Sequence, residues 1–341
     1  MEETLVRVAL DAMGGDNAPG EIIKGGVEAV NLHPELHVSL VGKEEVIREH
    51  LASYSYDASR IAVVNATEEI SCDEAPVEAI QKKRDSSIRV ALNMVRHKEC
   101  DAFVSAGSTG AILAGGQIVV GRIRGIERTP LAPLIPTEKG VSLLIDCGAN
   151  VDARASQLVQ YAIMGSIYME HVVGIKNPRV GIVNIGTEEE KGNALVKETY
   201  PLLKNLPGIN FVGSVEAREI PRGAADVIVC EAFVGNVILK LYEGLAGTLL
   251  DKIKAGLVST TRSKIGAALA KPALKKTLKS FDTTEYGGAP MLGLNGLVVK
   301  IHGNSTAVET RNALAQCISF LQEDIGGKIK EYLTAGQPKE E

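Results

Sequence analysis

Glycine and small polar residues collect directly after apolar runs in this chain of 341 residues. Asp11-Ala12-Met13-Gly14-Gly15-Asp16-Asn17-Ala18-Pro19 follows the apolar run 6–10. Asp16 or Asn17 can cap a helix beginning near Ala18, with Pro19 in its first turn. That leaves Asp11 and the paired Gly14 and Gly15, and paired glycines let a backbone approach a ligand closely. In the stretch 105–111, Ser108 and Thr109 stand at the N-terminus of a helix expected over 110–120. Their hydroxyls and the first free N–H groups suit a phosphate, and a plain serine cap accounts for them equally. In 184–193, Thr187 and Glu190 have the spacing of a capping box. Lys191 then falls in a first helical turn, where a cation is unfavourable to the dipole; it suits neutralisation of a bound anion, or is a surface lysine. Asn150, in Asp146-Cys-Gly-Ala-Asn, and Asn184 stand in similar settings. His302 is the one histidine after an apolar run among Gly, Asn and Ser; the other five read as structural or surface residues. Cys147 and Cys230 can in principle accept an acyl group, but free cysteine is more often a small buried hydrophobe.

The elements that must position these residues read as α/β. Apolar runs at 6–10, 37–41, 61–66, 102–107, 141–148, 179–186, 209–215, 226–231 and 297–303 lack polar alternation, as strands buried on both faces do. Helical stretches separate most of them, which predicts a three-layer fold around a largely parallel sheet. The expected unit is 1–334, one large domain or two closely packed lobes, followed by a disordered tail, 335–341. Ligands of such sheets bind outside the carboxyl ends of the strands, and that is where the polar clusters fall.

Several chemistries are excluded. The sequence has no G-x-G dinucleotide fingerprint, P-loop, H-E-x-x-H or G-x-S-x-G. Phosphate, if handled, is handled without a nucleotide. The five cysteines form no C-x-x-C pair, so neither zinc nor disulfides are expected, and no metal or cofactor is implied. Reduced thiols and the lack of a secretory signal point to the cytoplasm. No uninterrupted run reaches the ~18 apolar residues of a membrane span. A net charge of −5 and the absence of tryptophan disfavour a nucleic-acid partner. Charge is uneven, however: segment 237–280 carries nine Lys or Arg against two acids. Within it Leu245, Leu249, Ile253 and Leu257 recur at helical spacing, with Lys264 and Lys271 further on. Two amphipathic helices joined near Ser259-Thr260-Thr261 are expected. Such a basic protruding hairpin suits an anionic membrane surface, a dimer interface, or both.

These motifs together (VALDAMGGDNAP, SAGSTGA, IDCGAN, NIGTEEEKGN, EAFVGNVILK, Glu285–Pro290 and KIHGNS) resemble the PlsX family of phosphate acyltransferases of bacterial phospholipid synthesis, in order and over nearly the whole chain. The resemblance implies a fold similar to isocitrate and isopropylmalate dehydrogenases and phosphotransacetylases. It implies transfer of a fatty acyl group from acyl carrier protein to inorganic phosphate, with the acyl phosphate passing to a membrane glycerol-3-phosphate acyltransferase. It also implies a cytoplasmic homodimer resting peripherally on the membrane. By resemblance Lys191 and Asn236 are the catalytic positions. Asp11, Gly14, Gly15, Asp16 and Asn17 line the site, with Ser108, Thr109, Asn150, Asn184 and His302 as further contacts. Since Asp11 and Asp16 would repel phosphate on contact, they are expected to orient cationic or backbone groups instead.

Overall fold

The computed structural model describes residues 5–279 and 287–335, and every apolar run named above forms a strand there. Residues 1–4, Ser280 at the end of the basic segment, Glu285 and Tyr286 of the glycine motif, and 336–341 of the tail lie outside the described residues. The strands are β1 (Val6–Asp11), β2 (Leu36–Gly42), β3 (Ile61–Asn65), β4 (Ala102–Ser105), β5 (Leu134–Thr137), β6 (Gly140–Ile145), β7 (Arg179–Asn184), β8 (Asn210–Glu216), β9 (Val227–Val229), β10 (Ala289–Pro290) and β11 (Leu297–Lys300). The helices are α1 (Gly20–Leu32), α2 (Glu44–Leu51), α3 (Pro76–Lys82), α4 (Ser87–Arg96), α5 (Thr109–Gly115), α6 (Ala155–His171), α7 (Ala194–Lys204), α8 (Ala232–Leu257), α9 (Thr261–Lys279), α10 (Ala307–Gln322) and α11 (Ile325–Ala335). The last turn of α11 takes in Ala335, the first residue of the expected tail.

Two sheets replace the expected single sheet. The first has the order β10-β11-β4-β1-β2-β3, the second β5-β6-β9-β7-β8. All pairs are parallel except β10 with β11 and β5 with β6. The chain leaves the first sheet after β4, builds the second, and returns through β10 and β11. The antiparallel edges went unread because they are short and contain Pro136 and Pro290, and proline is confined to sheet edges. Segment 130–133 stitches the two sheets together. Ala132 N donates to Pro290 O (3.0 Å) and Leu292 N to Pro130 O (3.2 Å). On the other side Leu144 N donates to Pro133 O (3.0 Å) and Cys147 N to Leu131 O (2.9 Å). Pro130 and Pro133 contribute carbonyls and lack the N–H that would otherwise need a partner.

Strand alternation sets the layers. In the first sheet Val8, Leu10 and Leu40 face α1 and α10, while Ala9, Val41 and Phe103 face α4 and α5. In the second sheet Leu143, Ile145 and Val227 face Tyr161 and Tyr168 of α6, and Leu144 and Ile228 pack towards the start of α8. One continuous apolar core joins both sheets.

Helices α8 and α9 form the expected hairpin, joined at 258–260, but α8 begins at Ala232, five residues earlier than expected. Pro272 lies within α9. Only Ala232 and Gly235 of α8 are buried, while Leu241, Leu245 and Leu249 are 68%, 65% and 56% exposed. By length and composition α8 is apolar enough to cross a membrane. The uninterrupted-run criterion passed over it because isolated charges such as Lys240 and Glu243 punctuate its sequence.

Candidate active site

A cleft of ≈ 530 Å3 opens where the carboxyl ends of β4, β11 and β6 meet the first turns of α8. Ala106, Gly107 and Thr109 enter it after β4, Cys147 and Gly148 after β6, and Lys300 through Gly303 from β11. Helix α8 contributes Asn236, Leu239, Lys240 and Glu243. Glu231 caps that helix, its carboxylate accepting from Phe233 N (2.6 Å) and Val234 N (2.9 Å). Lys240 Nζ lies 2.8 Å from Glu243 Oε2, and His302 Nε2 is 4.0 Å from the same oxygen.

The glycine pair serves packing of the strand ends. A Cβ on Gly14 would overlap the Asp11 carboxylate and come within 2.7 Å of Gly107 N. Gly15 has φ +101°, and a Cβ there would lie 2.8 Å from Gly303 O. Asp16 N donates to Gly303 O (2.7 Å), and Asn17 Nδ2 donates to Asn304 O (2.8 Å) and Ser305 O (3.2 Å). The expected Asp16 or Asn17 cap is not formed: α1 starts at Gly20 after Pro19, with no side-chain cap. The bonds of 16 and 17 to the 302–305 loop replace it. Asp11 is fully buried and accepts from Ser105 Oγ (2.6 Å) and Met13 N (3.2 Å). Burial pushes its pKa up against those hydrogen bonds. Asp11 thus orients backbone and a hydroxyl at the end of β1. Ser105→Ala should destabilise the fold by about 1–3 kcal/mol in urea melts, because it leaves that buried carboxyl short of a donor.

Of the residues expected at the site, Thr109, Asn236 and His302 line this cleft. Ser108 caps α5, accepting from Ala111 N (3.4 Å); α5 itself ends at Gly115, and a π-helical stretch continues over Gly116–Val120. Asn150 is buried and donates to Thr129 O (3.0 Å) and Asp146 Oδ2 (2.8 Å). Asn184 donates to Lys191 O (3.1 Å) and Ser214 Oγ (3.0 Å). The Thr187–Glu190 capping box does not exist. Helix α7 starts at Ala194, capped by Asn193 (Val196 N, 2.9 Å), and Gly192 at φ +109° ends the loop before it. Lys191 therefore sits in a loop, 46% exposed and 2.8 Å from Glu188, and the dipole argument for it lapses. Its loop walls a second, apolar cleft of ≈ 320 Å3, with Gly192 and Asn193 on one side and Phe233, Val234 and Val237 of α8 on the other.

Three residues escaped the sequence reading. Asp146 is buried and accepts from Leu131 N (3.0 Å), Ala149 N (3.2 Å) and Asn150 Nδ2 (2.8 Å), which ties segment 130–133 to the end of β6. Lys300 ends β11 inside the cleft, its Nζ donating to Ala106 O (3.3 Å) and to Ile301 O. Burial pushes its pKa down to about 8. Ser305, 1% exposed, has a hydroxyl without a partner among the described residues. The one available signal was a lysine closing the apolar run Leu297-Val298-Val299.

A family model described as "Fatty acid synthesis protein" matches residues 6–327. A relative from Alkaliphilus oremlandii named phosphate acyltransferase is 49% identical over 331 residues, 97% of each chain. One of the same name from Clostridium tetani is 47% identical over 328 residues, 96% of this chain and 98% of its own. The chain belongs to the phosphate acyltransferase family. A phosphotransacetylase from Streptococcus pyogenes has a similar fold, with TM-score 0.62 at 18% identity, over 94% of this chain and 96% of its own. A branched-chain phosphotransacylase from Enterococcus faecalis V583 gives 0.55 at 12%, over 92% and 98%. For a phosphate acyltransferase fold the thiols matter. Cys147 and Cys230 are buried, and burial raises both pKa values well above the ordinary thiol value, which disfavours the thiolate that an acyl adduct needs. Among the described residues no group of three or more His, Cys, Asp or Glu is arranged to hold a metal.

Proposed function

We propose that the chain transfers a long-chain fatty acyl group from the thioester of acyl carrier protein to inorganic phosphate, which attacks directly. The supporting observation is a cleft at converging strand ends, lined by both apolar and polar groups, whose far wall, α8, runs on into an exposed apolar and basic hairpin. Phosphate is itself the nucleophile, so the protein has only to hold it against the carbonyl and stabilise the oxyanion. The leaving thiol ionises near 8.5, so strong acid catalysis is not needed. Asn236 offers an amide donor inside the cleft, and Lys191 enters as a catalytic position by family resemblance. Cys72 is the exposed thiol on the cleft. Direct attack predicts that Cys72→Ala leaves turnover essentially unchanged; a covalent acyl-Cys72 species formed at the catalytic rate overturns this mechanism.

The phosphotransacetylase fold favours a second reading, a short acyl-CoA as donor. Acetyl-CoA and long-chain acyl carrier protein assayed side by side decide between them, and acyl phosphate formed faster from acetyl-CoA sinks the long-chain reading.

The hairpin supports peripheral binding to an anionic membrane, where product meets a downstream glycerol-3-phosphate acyltransferase, and pairing of two copies through the same helices. Its leucines and Ile253 are available to bury, and Lys264 and Lys271 are exposed. Flotation with anionic vesicles should weaken with salt, and Lys264→Glu with Lys271→Glu should lower it by about 1 kcal/mol per lysine removed. Binding indifferent to both removes the electrostatic attraction, and with it the support for a third reading, a non-catalytic membrane-associated scaffold.

A further inference from the structure

Resting on the reading of phosphate as substrate, we propose that Lys300 and Ser305 form the subsite that grips a phosphoryl oxyanion in the cleft. Both line the same ≈ 530 Å3 space. An ammonium has three protons. Two of Lys300's go to neutral carbonyls, Ala106 O and Ile301 O. Among the described residues no carboxylate pairs with it at ion-pair distance. A buried cation held only by carbonyls is poorly compensated, and an anion supplies what is missing. Ser305 is fixed through its backbone: its N donates to His302 O (3.1 Å) and its O accepts from Asn17 Nδ2 (3.2 Å). Its buried hydroxyl is nevertheless without a partner among the described residues. A buried polar atom left unbonded asks for a partner, and this one lies on the wall of the cleft that Lys300 enters.

Three of the acids nearby are already engaged. Asp11, from the end of β1, is held by Ser105. Glu243 on α8 pairs with Lys240. Glu309 on α10 accepts from Thr306 N (2.6 Å). Asp16, on the loop after β1, is exposed, and its backbone N–H is bound to Gly303. Cys72 and Lys240 also face Lys300, and His302 sits beside Glu243 at the cleft wall. The α10 N-terminus adds nothing, because Glu309 and Glu21 occupy the N–H groups of Thr306 and Ala307. Lys300 and the Ser305 hydroxyl are thus left to receive the anion, beside the Asn236 amide that lines the same cleft.

The test is calorimetric titration of wild type, Lys300→Met and Ser305→Ala with inorganic phosphate alone and, separately, with phosphopantetheine. The expected loss of affinity is about 10- to 100-fold for Lys300→Met and about 3- to 10-fold for Ser305→Ala. The arm that shows it identifies the anion as free phosphate or as the phosphoryl group of the donor's phosphopantetheine. With a pKa near 8, the wild-type site should also bind more weakly as pH rises through 8, and Lys300→Met should lose that dependence. Unchanged affinity for both anions in a folded Lys300→Met protein overturns the subsite. If that variant does not fold, unchanged affinity in Ser305→Ala does so. Binding needs no acyl donor, so the two ideas part cleanly. Phosphate held through Lys300 without acyl phosphate formation refutes the proposed reaction and keeps the subsite. Acyl phosphate made by Lys300→Met at an unaltered KM for both phosphate and the acyl donor refutes the subsite and keeps the reaction.

Discussion

Asn236→Ala is expected to lower acyl phosphate formation at least ~100-fold, the scale of one lost oxyanion donor, with no change in melting temperature. Asn236 stands in the second turn of α8 with its side chain exposed to the cleft, and Gly148, whose added Cβ would lie 4.0 Å from Asn236 Oδ1, faces it across that space. Truncating it removes a polar group already in contact with solvent, so no buried partner is stranded and folding should be indifferent. The loss should appear in kcat, since the donor is worth most once charge develops on the carbonyl oxygen. Release of free carrier protein from a long-chain thioester measures it, and wild-type release would take Asn236 out of the machinery. Lys191→Ala, assayed alongside, separates family resemblance from geometry. Lys191 is outside the cleft and paired with Glu188, so a comparable loss requires the 185–193 loop to close on bound substrate. Wild-type turnover would leave Lys191 as a surface ion pair.

Gly235→Ala should be destabilising by about 3 kcal/mol, the upper range for overpacking, and should also abolish most activity. Alanine in a helix normally stabilises by up to ~1 kcal/mol relative to glycine. Here the added Cβ would overlap the Asp146 carbonyl oxygen and lie 3.0 Å from Cys230 Sγ. Backbone cannot yield as a flexible side chain does, so α8 must lift off the end of β6 and carry Asn236 with it. Gly247→Ala, farther along the same helix with nothing within 4 Å of its Cβ, should keep the normal sign and stabilise slightly. Urea melts of the two variants check the contrast. Equal stability of Gly235→Ala and wild type would show that α8 is not docked through that contact.

Much of this was legible in the residues themselves. The strands of the parallel ladders declared themselves because burial on both faces demands unbroken apolar runs such as Val6–Leu10. The hairpin did so because leucines at three- and four-residue steps have one helical reading. The strand-end motifs located the cleft, and their combination marked the family. The roles inside the motifs were harder to read. Thr187 and Glu190 have capping-box spacing, but Gly192 in the left-handed region moves the helix start to Ala194. Gly14 and Gly15 have the composition of a ligand loop, but it is the Gly107 and Gly303 backbones that press against them.

The sequence by itself determined the element types and the family, because local propensity, burial pattern and short motifs act over a few residues. Only the tertiary structure decided that there are two sheets, that Asp11 and Asp146 are buried anchors, and that Lys300 and Ser305 share a cleft with Asn236. Those facts depend on contacts between residues as far apart as Asp11 and Ser105, or Asn17 and Ser305. A side chain's burial and unfilled hydrogen bonds exist only once such distant segments have met, so no short window of the chain records them.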